Sequence, residues 1–390
     1  MSPLCESFLD ASQLGSMEPF YPLHVRICEH CLLVQLPELV SPEEIFRDYA
    51  YFSSYSTSWV EHARVFVGVV SDRFQLGQKS LVVELASNDG YLLQHFVADG
   101  IPVLGVEPAA NVARVARDKG VRTHVQFFGV DAAKGLISEY GQPDLLLGNN
   151  VLAHVPDIND FVGGMKVLLK PGATITMEFP HLMRLIDENQ FDTIYHEHFC
   201  YLSFLVVEKI FARHGLTVFD VEELPTHGGS LRIYARHDEG DPRPVSARAG
   251  ALRQRELARG YGTVEGYAGY QEKVEATKRK LLSFLIQARE AGKRVAGYGA
   301  PGKGNTLLNY CGIRSDLLDF TVDRSPHKQG MYLPGTHIPI LAPEAIDRAR
   351  PDYLLILPWN LTDEIVKQMG HVREWGCRFV VPIPEVQVID

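Results

Sequence analysis

The residues best equipped for chemistry stand four in a row, Tyr195-His196-Glu197-His198, inside the stretch Phe191-Asp192-Thr193-Ile194-Tyr195-His196-Glu197-His198-Phe199-Cys200-Tyr201. Each can donate, accept or hold a proton, and burying such groups unpaired costs about 1–3 kcal/mol apiece. A proton-transfer site is therefore a simpler reading than packing, with a hydrogen-bonded polar strand end as the structural alternative. A zinc helix is excluded, because it needs histidines at i and i+4 with the glutamate between them, whereas His196 and His198 are two apart. In an extended segment residues two apart face the same way. That pairs Tyr195 with Glu197 on one side and His196 with His198 on the other.

The elements that must carry this cluster begin at Lys79, where strands and helices start to alternate. Leu81-Val82-Val83-Glu84-Leu85 has the short apolar run of a buried parallel strand, and Ala86-Ser87-Asn88-Asp89-Gly90 is a tight turn into a helix expected over Tyr91–Val97. A second strand, Val103-Leu104-Gly105-Val106, ends at Glu107, where a doubly wound fold hydrogen-bonds the ribose hydroxyls of an adenosine ligand. Gly90 allows close backbone approach, and Glu84 can meet a cationic amine. The G-x-G-x-x-G fingerprint that seats a pyrophosphate is missing, so an adenosine ligand without phosphates, such as S-adenosylmethionine, fits better. Further strands are expected at Asp144–Gly148 and Ala173–Phe179. Between them, Asn149-Asn150 and the loop carrying His154 fall at the crevice mouth where open α/β sheets keep their chemistry.

Beyond the cluster, His227-Gly228-Gly229-Ser230 leads into a strand at Leu231–Tyr234, and the stretch from Pro242 to Gly262 reads as a linker. Tyr267, Tyr270, Val274, Leu281, Phe284, Leu285 and Ala288 trace one face of a long helix. A further α/β region opens with Gly297-Tyr298-Gly299-Ala300-Pro301-Gly302-Lys303-Gly304-Asn305. This glycine-rich turn offers backbone N–H groups and a lysine to a phosphate, but Gly304 stands where a nucleotide hydrolase needs Ser or Thr. Asp323-Arg324 and Pro358-Trp359-Asn360 follow later strands at the same carboxyl edge.

At 390 residues, two or three domains are expected. The net charge of -10 argues against a nucleic-acid partner. No stretch has the roughly 18 apolar residues of a membrane span, and the start is no signal peptide, so a cytoplasmic location is expected. The six cysteines are too scattered for a disulfide scaffold. Only Cys28-Glu29-His30-Cys31 has metal spacing; it is half of a zinc site, with Cys5, His24 or His30 as conceivable further ligands. The segment Asp48–Ser56, with Tyr49 and Tyr51, is dense in aromatics and hydroxyls and can wall a pocket.

Taken together, the ordered motifs Cys28-x-x-Cys31 with Val34-Gln35-Leu36, Asp48–Ser56, Glu84-x-x-x-Asn88-Asp89-Gly90, Tyr195-His196-Glu197-His198, Gly297-Tyr298-Gly299-Ala300 and Asp323-Arg324-Ser325-Pro326 closely resemble the S-adenosylmethionine-dependent C-methyltransferases of TDP-4-keto-deoxysugars. The resemblance implies an α/β protein with a central doubly wound class I methyltransferase domain. An N-terminal zinc-type domain would precede it and a Rossmann-like nucleotide-sugar domain would follow. The corresponding boundaries are 1–56, 57–243 and 244–390. The family's first cysteine pair would lie upstream of Met1, so the zinc site reads as truncated or lost. The resemblance implies His198 as general base, with Tyr195, Glu197, His154 and Tyr49 around the sugar. Glu84, Ser87, Asn88, Asp89, Gly90, Glu107 and Asn149 are then the donor site. Tyr51, His196, Tyr298, Gly299, Lys303, Asn305, Asp323, Arg324 and Asn360 are the substrate contacts, and Cys28 and Cys31 the metal ligands. The implied reaction is methylation of carbon 3 of a TDP-4-keto-6-deoxysugar by a monomer or weak homodimer. Methylation at carbon 5, an NAD-linked oxidoreductase and a non-catalytic nucleotide-binding module are the alternatives.

Overall fold

The computed structural model describes residues 1–46, 49 and 52–390. Tyr51 lies outside the described residues. The chain divides into two compact units that interleave along the sequence. The central unit comprises Ile27–His181 and Glu197–Gly266, and the C-terminal unit comprises Met1–Arg26, Leu182–His196 and Tyr267–Asp390. The expected three consecutive domains thus differ from the observed division. Met1–Arg26 folds with the C-terminal unit, and the chain changes unit inside the polar motif, between His196 and Glu197.

The central unit is built on a seven-stranded sheet. Its strands are β1 (Val82–Leu85), β2 (Val103–Val106), β3 (Thr123–His124), β4 (Leu145–Asn149), β5 (Thr174–Pro180), β6 (Leu216–Leu224) and β7 (Ser230–His237), in the order β3-β2-β1-β4-β5-β7-β6. The first five are parallel, while β7 runs antiparallel to both β5 and β6. Parallel strands are covered on both faces and so read as continuous apolar runs; every residue of β1 and β4 is buried. Strand order reverses between β1 and β4, which opens a crevice at their carboxyl ends. Helix α1 (Thr57–Phe74) precedes the sheet and is capped by the Ser56 hydroxyl, which accepts from Trp59 N–H. It buries Trp59, Ala63, Phe66, Val67 and Val70 in one core with Tyr91, Leu92, Phe96, Leu145 and Tyr234.

The expected linker is a helix instead. Helix α2 (Ala247–Ala258) is capped by Ser246 and buries Ala249, Leu252 and Glu256. Glu256 earns that burial as an anchor. Its carboxylate accepts from Phe204 N–H and Leu205 N–H, both at 2.8 Å, at the start of the helix Phe204–Arg213, and bonds His181 at 2.6 Å.

The C-terminal unit holds β8 (Val295–Tyr298), β9 (Thr321–Val322), β10 (Ile340–Leu341), β11 (Tyr353–Ile356), β12 (Arg378–Val381) and β13 (Gln387–Ile389). Their order is β10-β9-β8-β11-β12-β13, parallel except for β13. The long helix α3 (Tyr270–Glu290) packs Val274, Leu281, Leu285 and Ala288 into its core. Helix α4 (Gly302–Cys311) follows the glycine turn.

Candidate active site

The turn after β1 is held in a strained backbone path. Ala86, Asn88 and Gly90 have φ of 54°, 51° and 76°. A Cβ on Gly90 would also approach Val121 to 3.0 Å. Glu107, at the end of β2, fixes the turn by accepting from Asn88 N–H and Ala109 N–H, each at 2.9 Å. Burial nevertheless pushes its carboxyl up to about 7 against those two bonds. Asn88 Oδ1 accepts from Ser53 N–H at 3.0 Å, and Asp89 Oδ2 accepts from Lys119 at 3.1 Å.

Around this turn, both oxygens of Glu84, Ser87 Oγ, Asp89 Oδ1 and Asn149 Nδ2 are buried with no hydrogen-bond partner among the described residues. Native interiors leave few such groups. Burial, then the charges of Glu107 and Asp89, raise the Glu84 carboxyl well above its ordinary range. Unmatched polar groups around a fully buried carboxylate fit a ligand carrying an ammonium and hydroxyls. S-adenosylmethionine has both: Glu84 and Asp89 would hold its cationic part and Glu107 its ribose.

Beside the pocket, the single turn Leu152–His154 leaves β4 and presents His154, whose ring stands perpendicular to that of His198 with centroids 4.7 Å apart. The Phe199 N–H to Ala153 carbonyl bond at 2.8 Å ties the two segments together. So does the antiparallel pairing of Val34–Gln35 with Cys200–Tyr201. Burial pushes His154 down to about 4, only partly offset by its bond to the Glu197 carbonyl, so its imidazole is neutral near pH 7. His154 Nδ1 is buried without a partner among the described residues. Tyr201 flanks His198 at 6.3 Å, Phe46 flanks His154 at 5.9 Å, and Tyr49 lies 5.4 Å from Phe46. Asn111 clamps the Tyr49 backbone at both its N–H and its carbonyl.

One histidine of the expected cluster is committed to structure. His196 is buried, bonds the Pro22 carbonyl at 3.0 Å and meets the Tyr21 ring edge-on at 5.8 Å, contacts that hold the N-terminal segment within its own unit. Tyr195 belongs to that unit as well.

The structure adds a constellation that the sequence reading missed. Glu178, at the end of β5 and wholly buried, accepts from His62 of α1 at 3.0 and 3.1 Å, from Arg232 of β7 at 2.6 Å and from Thr226 at 2.9 Å. Burial alone would raise its carboxyl; the His62 bond, the Arg232 charge and the Thr226 bond outweigh it and bring it to about 2. Arg232 lies over the Phe66 ring at 4.0 Å. Trp59 stacks on His62 at 4.9 Å and meets His227 edge-on at 4.8 Å, while Asn150 Nδ2 donates to His227 Nε2 at 3.0 Å. The available signal was a single charged residue between two apolar neighbours in each strand, Met177-Glu178-Phe179 and Leu231-Arg232-Ile233.

In the C-terminal unit the glycine turn is built as expected, with Gly299 at φ 88° where a Cβ would strike Pro358 at 2.6 Å. Its amides, however, are already taken. Asp323 accepts from Ala300 N–H at 2.7 Å, and the Glu6 carboxylate accepts from Gly302 N–H. The expected phosphate contact at these amides meets two carboxylates of the chain itself. Lys303 instead donates to Asn360 at 2.8 Å and lies over the Trp359 ring at 4.6 Å. Burial pushes its ammonium down, opposed by nearby Asp192. Asp192, pushed by burial to about 7, accepts from Trp359 Nε1 at 2.7 Å. Asn305 Nδ2 donates to the Cys5 carbonyl at 2.5 Å and Tyr298 bonds Gln368 at 3.3 Å, whereas Arg324 is exposed with a loose pair to Glu364 at 3.8 Å.

The thiol of Cys28 faces the backbone N–H groups of Cys31 and His30, which lower it. Cys5 packs instead on Gly302 in the C-terminal unit. Among the described residues no group of three or more metal-capable side chains assembles. Two thiols do not fit the four-ligand closed site of structural zinc. No helix of the described residues is long and apolar enough to cross a membrane.

The sheet order, the acidic residues closing β1 and β2, and the unmatched buried polar groups around Glu84 define an S-adenosylmethionine-dependent methyltransferase of class I. Comparisons agree. A methyltransferase-domain family model matches residues 62–221, a C-methyltransferase C-terminal domain model matches 225–384, and a model described as zinc binding matches 1–46. The C-methyltransferase NovU of Streptomyces niveus is 38% identical over 392 residues, covering 100% of this chain and 92% of that protein. The chain belongs to the C-methyltransferase family that includes NovU. Among solved structures, the PH0226 protein of Pyrococcus horikoshii is similar at TM-score 0.40 and 16% identity, over 48% of this chain and 94% of that one. An S-adenosylmethionine-dependent methyltransferase of Mesorhizobium loti is similar at TM-score 0.37 and 14% identity, over 46% and 100%.

Proposed function

We propose that the protein methylates carbon 3 of a TDP-linked 4-keto-6-deoxysugar, with His198 as the base. The observation that carries this reading is the His154–His198 pair, 4.7 Å apart beside the donor pocket. A ketone acidifies the carbon next to it, so an imidazole can remove that proton when the enolate oxygen meets a donor. His198 takes the proton in this reading. Tyr49 hydrogen-bonds the enolate oxygen, and the Glu197 carbonyl orients His154 against His198. S-adenosylmethionine supplies an electrophilic methyl group on a sulfonium. The residues of the β1 turn hold it, and orientation of this kind can lower a barrier by about 7–11 kcal/mol. The expected nucleotide contacts Lys303, Asn360, Tyr298, Asp323 and Arg324 all belong to the C-terminal unit. NovU is a C-methyltransferase by name, which supports carbon as the acceptor.

The test is incubation with methyl-labelled donor and a panel of TDP-4-keto sugars, followed by mass spectrometry and NMR of the product. A new methyl on carbon 3 is expected. A methyl on carbon 5 would move the site of deprotonation. Absence of methylated product, with a nicotinamide absorbance change instead, would replace the reading with a redox one.

A further inference from the structure

Asn111 holds one distant residue by both of its backbone groups. Its Oδ1 accepts from Tyr49 N–H at 3.3 Å and its Nδ2 donates to the Tyr49 carbonyl at 2.8 Å, across a separation of 62 positions. A side-chain amide offers an acceptor and a donor side by side, so one asparagine can satisfy an N–H and a carbonyl together. With both groups held, the Tyr49 backbone is fixed and staggered side-chain torsions alone place its hydroxyl.

The helix Ala110–Asp118 that carries Asn111 grips this segment at both of its ends. Asn111 stands in its first turn, and Lys119, its C-cap, reaches Ser54 Oγ at 2.5 Å and Asp89 Oδ2 at 3.1 Å. Ser54 N–H also donates to Asp89 Oδ2, at 3.3 Å. The circuit closes through Glu107, which accepts from Ala109 N–H and from Asn88 N–H, while Asn88 Oδ1 accepts from Ser53 N–H. The helix packs through Val112, Ala113 and Ala116. Asn111 is half-buried and lies outside that packing set, which leaves its amide to Tyr49.

On its other side Tyr49 joins a run of rings. It meets Phe46 edge-on at 5.4 Å, Phe46 meets His154 at 5.9 Å, and His154 meets His198 at 4.7 Å. One end of the clamp is therefore the donor turn and the other is the proton-transfer pair.

We propose that Asn111 is a positioning residue of the methyl transfer, clamping Tyr49 so that its hydroxyl meets the enolate oxygen as charge develops there. The inference rests on the role given to Tyr49 above. Tyr49 keeps its proton throughout. The sugar C–H bond breaks, its proton passes to His198, its electron pair moves into the carbonyl, and the phenol donates a hydrogen bond to the oxygen. Stabilisation of that kind needs a donor already in place when the charge appears, and a clamped backbone provides it.

Steady-state kinetics on the full chain test this, with a sugar that the panel above shows to be methylated. Asn111→Asp keeps the shape and the acceptor, sets an oxygen against the Tyr49 carbonyl, and suits the first turn of a helix. Asn111→Ala makes the same comparison without the added charge and serves if the Asp variant does not fold. Loss of one oxyanion donor lowers kcat about 100- to 1000-fold, the expected effect of Tyr49→Phe. Misplacement by about 1 Å costs up to about a hundredfold, so either Asn111 variant is expected to lower kcat about ten- to a hundredfold. The sugar KM and S-adenosylhomocysteine affinity should change less than about twofold. In the Tyr49→Phe background the Asn111 substitution should change kcat less than about twofold, because the hydroxyl it positions is gone.

Losses that multiply in the double variant would show that Asn111 acts elsewhere and overturn the proposal. So would unchanged kcat in both Asn111 variants, or donor affinity falling in step with kcat. Tyr49→Phe at the unmodified rate would remove the Tyr49 reading and the proposal with it, a result distinct from multiplying losses. No methylated product from the unmodified protein would remove the functional reading on which both rest.

Discussion

Replacing Glu178 by Gln tests the bottom-up account most directly, because one side chain carries both a stability term and the geometry of the crevice. Its carboxyl is held near 2 against an ordinary 4.5 by His62, Arg232 and Thr226 despite complete burial. Each pKa unit corresponds to about 1.4 kcal/mol, so the ionised form contributes about 3 kcal/mol to folding near neutral pH. Removing the charge also takes from Arg232 its closer carboxylate and leaves it Glu222 at 3.5 Å, and breaking a buried pair of this kind costs about 3–5 kcal/mol. The folded pKa is depressed, so the contribution is fully present above pH 4.5 and is lost as pH falls toward 2. Glu178→Gln should therefore destabilise the central unit by about 3 kcal/mol at pH 7 and progressively less on acidification. Trp59 is the one tryptophan in that unit, the others being Trp359 and Trp375. Urea unfolding followed by its fluorescence, with Trp359 and Trp375 changed to Phe in both proteins, isolates the transition. A loss under about 1 kcal/mol at pH 7 that does not vary between pH 7 and pH 3 would refute the reasoning.

The remaining expectations are more local. Glu107 sits near pKa 7 and ribose hydroxyls favour its ionised form, so donor binding should release a proton and weaken by up to about tenfold per unit below pH 7. Calorimetry in two buffers of different ionisation enthalpy reads that proton directly, and a pH-independent affinity would count against the ribose role. Gly90→Ala must place a Cβ at φ 76° and 3.0 Å from Val121; a loss of about 1–3 kcal/mol in thermal unfolding, with weakened donor binding, is the expected result. His198→Asn should abolish both methyl transfer and solvent exchange of the sugar's α-proton in deuterium oxide while S-adenosylhomocysteine binding persists. Exchange at the unmodified rate would take the base role away from His198.

What was legible in the sequence was local. The apolar runs of β1, β2 and β4 and the Asn88-Asp89-Gly90 turn announce themselves by residue type, and the position of His154 just past β4 follows from the alternation of strands and helices. What stayed hidden depends on pairing between distant segments. Nothing in Leu231-Arg232-Ile233 says that Arg232 will lie opposite Glu178, because antiparallel register is set by the whole β5–β7 ladder. Helix α2 was missed because its buried residues, Ala249, Leu252 and Glu256, include a carboxylate where the pattern calls for an apolar side chain. The glycine turn of the C-terminal unit was read correctly as a shape. Its occupants, Asp323 from the next strand and Glu6 from nearly 300 positions upstream, were beyond any local rule.

That last contact changes how the first residues of the chain should be regarded. With the Glu6 carboxylate seated on the Gly302 amide and Asn305 gripping the Cys5 carbonyl, the leading peptide acts as a built-in counter-ion for the opening of α4. An incoming diphosphate would have to evict an acid already in residence, and clipping the chain after Ser7 would free the Gly302 amide while Asp323 stays on that of Ala300.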